Sequence, residues 1–124
     1  MHITDFSIFN KRRCESENGF NHKLNDWTLS DWFLAFIGEA GEAANVAKKL
    51  NRIRDGIPGN RNITEAELRA QLRREIADAY IYLDLMAQSE GIDLEAAVIE
   101  TFDAKSEQIG YGVRLAKIIK ANKL

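Results

Sequence analysis

The sequence predicts an all-α protein, a bundle of four to five helices. Apolar residues recur at spacings of three and four along most of the chain, the β-branched alternation of strands is nearly absent, and proline occurs once, at Pro58. At 124 residues the chain is long enough for one core, so a single domain over 1–124 is expected. Its 45% apolar and 29% charged content is that of a folded soluble protein.

The first helix is expected from about Thr4 to Ser16, with Phe6, Ile8, Phe9 and Cys14 facing inward and Gly19 near its end. Ser30 is the expected N-cap of a second helix, with Asp31 favoured in its first turn by the helix dipole, and the helix should run to about Asp55. Its apolar stripe is Leu29, Trp32, Phe36, Ala40, Ala43, Ala47 and Leu50. Gly56-Ile57-Pro58-Gly59-Asn60 breaks the helical pattern and predicts an exposed, mobile loop.

A third helix should open at Thr64, whose spacing to Glu67 is that of a capping box, and continue to about Glu90 before Gly91. Leu68, Leu72, Ile76, Ala79, Leu83 and Met86 form its inward stripe. Ile81 and Leu85 add a second apolar side, which in a short chain predicts a subunit contact. Asp93 caps a fourth helix to about Gln108, closed by Gly110, and residues 111–124 read as a basic C-terminal tail.

Composition excludes several function classes. A net charge of -2, from 17 basic and 19 acidic residues, provides no positive field for a polynucleotide. A lone cysteine, Cys14, rules out an intrachain disulfide and a multi-thiol zinc site. No membrane-spanning run and no leader-like start are present in the sequence, so no membrane partner and a cytoplasmic location are expected.

The informative motif is a pair of acidic pairs. Glu39 with Glu42 and Glu75 with Asp78 are each three residues apart on a helix and each border an apolar stripe. Four carboxylates gathered between two helices repel one another unless a cation joins them. All-oxygen donors suit Mg²⁺, whereas zinc or copper would call for His or Cys, and a di-iron bundle would need ExxH pairs that this chain lacks. The bland alternative for either pair alone is a solvated helix face.

Neighbouring residues extend the pattern. Lys48, Lys49 and Arg52 follow Glu42 by two to three turns, where cations reach a phosphate chain or merely complement the helix dipole; Lys49 and Arg52 are the candidates taken forward. Trp27 stands before the second helix as a stacking face for a base, while Trp32 and Phe36 read as core. Tyr82, one turn after Asp78, either offers its hydroxyl to phosphate or packs in the core.

The segments GEAGEAANVAKK (Gly38 to Lys49), REIADAYIYLDLMA (Arg74 to Ala87) and EGIDLEAAV (Glu90 to Val98) resemble the MazG-like branch of the all-α nucleoside triphosphate pyrophosphohydrolases, closest to its dCTP pyrophosphatase-like members. The likeness runs from about Trp27 to Gly110. It implies a metal site between the two central helices, with Glu39, Glu42, Glu75 and Asp78 as Mg²⁺ ligands and Glu39 assisting the attacking water. It also implies cleavage of (deoxy)nucleoside triphosphates between the α and β phosphates for nucleotide-pool housecleaning, in a homodimer or homotetramer. The chain departs from the pattern at Gly38, where some relatives carry a glutamate base, and at Thr101, where relatives often place a lysine that Lys105 does not simply replace. Those departures keep open an alternative, a non-catalytic helical oligomer that binds nucleotide or a protein partner.

Overall fold

A computed structural model describes residues 1–122, and all regular structure among them is helical. Five helices run in order: α1 (Ile3–Glu15), α2 (Leu29–Arg54), α3 (Glu65–Ser89), α4 (Leu94–Ile109) and α5 (Leu115–Asn122), with a 3-10 turn at Leu24–Asp26 before α2. Among these residues no helix is long and apolar enough to cross a membrane.

Local hydrogen bonds set the helix starts. α2 opens two residues before the position expected from Ser30, because Thr28 and Asp31 close a reciprocal box: the Asp31 N–H donates to Thr28 Oγ1 (3.2 Å) and the Thr28 N–H donates to the Asp31 carboxylate (2.9 Å). Ser30 therefore lies inside the first turn rather than capping it. Thr64 and Glu67 form the equivalent box at α3, as the sequence predicts. Asp93 caps α4 through the Ala96 N–H (3.0 Å), and Gly110 ends it in the left-handed conformation, φ 77°.

The tail forms α5 instead of remaining a simple basic extension. Asp103 of α4 supplies its cap, accepting from the N–H groups of Leu115 (2.6 Å) and Ala116 (3.1 Å). Lys123, the last basic residue of the predicted tail, lies outside the described residues.

α2 and α3 form the dominant pairing, an antiparallel hairpin turned by residues 55–64. That loop exposes Ile57, as expected, and is anchored where Asn60 Nδ2 donates to the Lys49 carbonyl (2.8 Å). A buried cluster lies toward the hairpin's opposite end, where Cys14, Leu24, Trp32 and Leu85 are buried and Trp27, Tyr82 and Met86 pack around them, while Val46 and Leu68 are buried nearer the loop. Trp32 satisfies its indole N–H on the Leu24 carbonyl (3.0 Å).

Several inward expectations are corrected. Ile8, Phe9 and Leu29 are exposed, and Ile76, at 56%, faces outward. A single stripe cannot cover α3, whose neighbours α1 and α2 approach from different sides. Leu85 is fully buried in the core, and Ile81 is partly covered by α1, whose Asn10 donates to its carbonyl (3.0 Å). The second apolar side of α3 is thus met in part by α1, while Ile76 and Ile81 still line an open apolar groove with Phe6 and Tyr80.

Candidate metal centre

The antiparallel hairpin places the two acidic pairs opposite each other. Glu39, Glu75 and Asp78 each bring one carboxylate oxygen to a common point, all within 4.8 Å of one another. Glu39 and Glu75 are half-buried, while Asp78 is exposed. Glu42, one turn along α2, is exposed and is not among the three residues whose oxygens converge.

The charge balance is one-sided. Burial raises the Glu39 carboxyl first, followed by repulsion from Glu42, Asp78 and Glu75. Glu42 is raised first by its hydrogen bond to Glu75, then by that residue's charge, by desolvation and by Asp78. No basic side chain contributes to either shift. The donor set is thus an all-oxygen cluster with uncompensated negative charge, which fits a hard divalent cation and gives no soft ligand for zinc or copper.

Tyr82 borders the cluster. Burial raises its phenol first, and the charges of Glu39 and Asp78 raise it further. Its ring is also core, stacked on Phe20 at 6.2 Å with an interplanar angle of 9°. Tyr82 thus packs against the core, as one of the two sequence readings has it, and lies beside Glu39 and Asp78.

Trp27 is partly buried against the core and belongs to a continuous aromatic wall. It stacks on His22 at 4.6 Å, His22 stacks on Phe20, and Phe20 stacks on Tyr82 at the acidic cluster. Arg13 covers the outer face of Phe20, 5.3 Å from the ring centroid. His22 and Phe20 were not legible as site neighbours: they sit in an irregular segment with no helical period.

Lys49 and Arg52 stand at the loop end of α2, both half-buried. The loop folds onto them, with the Lys49 carbonyl accepting from Asn60 and the Arg52 guanidinium lying alongside Gly59. Thr101 is exposed on α4, and Lys105 donates to Gln108 (3.1 Å) one turn further on.

A fifth carboxylate, Asp84, is completely buried and was assigned no role from sequence. It accepts from the Ser7 hydroxyl, from Asn10 Nδ2 (2.9 Å) and from Gln88 Nε2 (2.9 Å), and so ties α1 to α3 with neutral donors. Comparison of the chain with family models, curated proteins and solved structures finds no match.

Proposed function

We propose that this chain is a Mg²⁺-dependent pyrophosphohydrolase of the MazG-like type, cleaving (deoxy)nucleoside triphosphates to the monophosphate and pyrophosphate. The observation that carries the reading is the convergence of Glu39, Glu75 and Asp78 oxygens within 4.8 Å, with the carboxyls of Glu39 and Glu42 both raised by burial and by the neighbouring acids. The likeness of Gly38–Lys49 and Arg74–Ala87 to the family's ExxE and ExxD helices supports it.

Glu39, Glu42, Glu75 and Asp78 are the residues that would hold Mg²⁺. When bound, the ion supplies charge neutralisation for a triphosphate and a lowered pKa for water. The chain's own contributions follow from placement. Glu39, half-buried and raised by its neighbours, is suited to accept a proton from an attacking water. The Tyr82 hydroxyl borders the cluster and is a hydrogen-bond donor for a phosphate oxygen.

The wall of Trp27, His22 and Phe20 offers flat apolar faces to a nucleobase. Lys49 and Arg52, near the loop, supply positive charge for the distal phosphates. In a water-poor pocket such charges stabilise a triphosphate best when they are already in position.

The test is incubation with each dNTP and NTP in the presence of Mg²⁺, with products resolved by anion exchange. The expected result is monophosphate and pyrophosphate in equal amounts. Release of orthophosphate would place the cut at another bond. Mg²⁺-dependent nucleotide binding without any cleavage would favour the non-catalytic binding protein instead.

A further inference from the structure

α1 brings a cation to the border of the acidic centre. Arg12 and Arg13 both stand in its last turn, both are exposed, and each lays its guanidinium carbon 5.3 Å from the centroid of an aromatic ring. The helix dipole favours basic residues at that end, which accounts for the presence of both. The rings tell them apart. Arg12 covers Phe9, a largely exposed ring of α1 itself, whereas Arg13 covers Phe20, the ring stacked on Tyr82.

Backbone contacts fix Arg13 in that place. Its carbonyl accepts from the Phe20 N–H (3.1 Å) and the Cys14 carbonyl accepts from the His22 N–H (3.1 Å), so the segment after α1 folds back over the helix end. Gly19 allows this fold: a Cβ there would stand 1.8 Å from the Arg13 carbonyl oxygen, closer than any side chain tolerates. The guanidinium forms no ion pair among the described residues. Stacked on one face, it keeps its N–H edges for an acceptor.

Charge puts the same group beside the site. Burial raises the Tyr82 phenol first, Glu39 and Asp78 raise it further, and Arg13 alone lowers it. At Glu39 and Glu42 no basic side chain acts, so Arg13 reaches the hydroxyl without pairing with the acids. Lys49, by contrast, follows Glu42 by seven residues, roughly 10 Å along α2. We propose that Arg13, braced on Phe20, binds the phosphate oxygens of the substrate beside the Tyr82 hydroxyl, so that the anion lies between this cation and the acidic centre. The inference rests on the pyrophosphohydrolase reading and deepens it, since the triphosphate is then gripped by a charge from the first helix. A guanidinium suits the task because its planar fork meets two phosphate oxygens at once.

Calorimetry of the full chain with Mg²⁺ and α,β-imido dNTPs, which cannot be cut at that bond, tests it alongside steady-state kinetics with the parent dNTPs. Arg13→Gln is expected to weaken binding of the analogue at least about tenfold and to raise KM by a similar factor, with an unchanged helical circular-dichroism spectrum. Arg13→Lys should recover part of the loss. Arg12→Gln, which removes the same charge from the same turn, should match wild type. Equal affinity of wild type and Arg13→Gln, or the same loss in Arg12→Gln, overturns the proposal. So does a matching loss for the deoxynucleoside without phosphates, which would make Arg13 only a brace for Phe20. A wild type that cleaves dNTPs while Arg13→Gln is unaffected removes the Arg13 assignment alone; a wild type that neither binds nor cleaves them removes the hydrolytic reading as well.

Discussion

α3 carries carboxylates in two opposite settings. Asp84 is completely buried, yet Ser7, Asn10 and Gln88 surround it with donors. Glu75 and Asp78, two to three turns earlier on the same helix, are more accessible, but the groups gathered with them are the carboxylates of Glu39 and Glu42. Burial alone therefore does not tell what surrounds an acid. A buried acid with neutral donors is a fastener between helices, whereas half-exposed acids gathered on one another carry unbalanced negative charge, the feature on which the proposed cation site rests.

The contrast is broken most severely at the acidic cluster, if the proposed hydrolysis takes place there. Asp78→Asn removes a charge from the cluster and is expected to lower kcat/KM by more than about 100-fold while the helical fold stays intact. Steady-state kinetics with circular dichroism checks this. An unfolded variant would reassign Asp78 to structure.

Asp84→Ala should behave in the reverse way. It leaves the Ser7, Asn10 and Gln88 donors without their shared acceptor, at a cost of about 3 kcal/mol in unfolding free energy, because each bond to a carboxylate contributes more than a neutral one. Urea denaturation measures the loss, and activity per folded molecule should persist. Loss of activity without loss of stability would erase the distinction between the two acid groups.

The pH dependence of the metal-free protein sharpens the comparison. Glu39 and Glu42 are raised from 4.5, so their contribution to the folded state is full below that value and is lost as pH climbs through their raised values. Metal-free protein should therefore lose stability across that window as pH rises, and Glu42→Gln should flatten the slope. Thermal melts at a series of pH values follow this directly. The smallest effect lies away from both sites: Thr28→Ala, which removes the α2 cap acceptor, should cost about 1 kcal/mol in chemical denaturation.

Much of this architecture was legible because it is local. Helical period located α2 and α3, the Thr64–Glu67 box and the Asp93 cap fixed helix starts, and three-residue spacing brought Glu75 and Asp78 together with Glu39, though not Glu42. What escaped depends on partners distant in sequence. Asp84 looks like one more charged residue on α3 until Ser7 and Asn10 are brought against it, and Asp103 looks like a surface acid until α5 places two free N–H groups on it. Periodicity chose Ile76 and Phe9 as inward residues because it gives the number of apolar sides, not which neighbour arrives at each. The aromatic wall was hidden for a related reason: Phe20 and His22 belong to a segment whose path only tertiary packing defines.

Calorimetric titration of Mg²⁺ into wild type and Asp78→Asn at neutral pH tests the proposed cation site most directly. The expected result is saturable binding to wild type that is abolished in Asp78→Asn. Absence of binding to wild type, or equal binding to both proteins, would contradict the assignment of these carboxylates as a cation site.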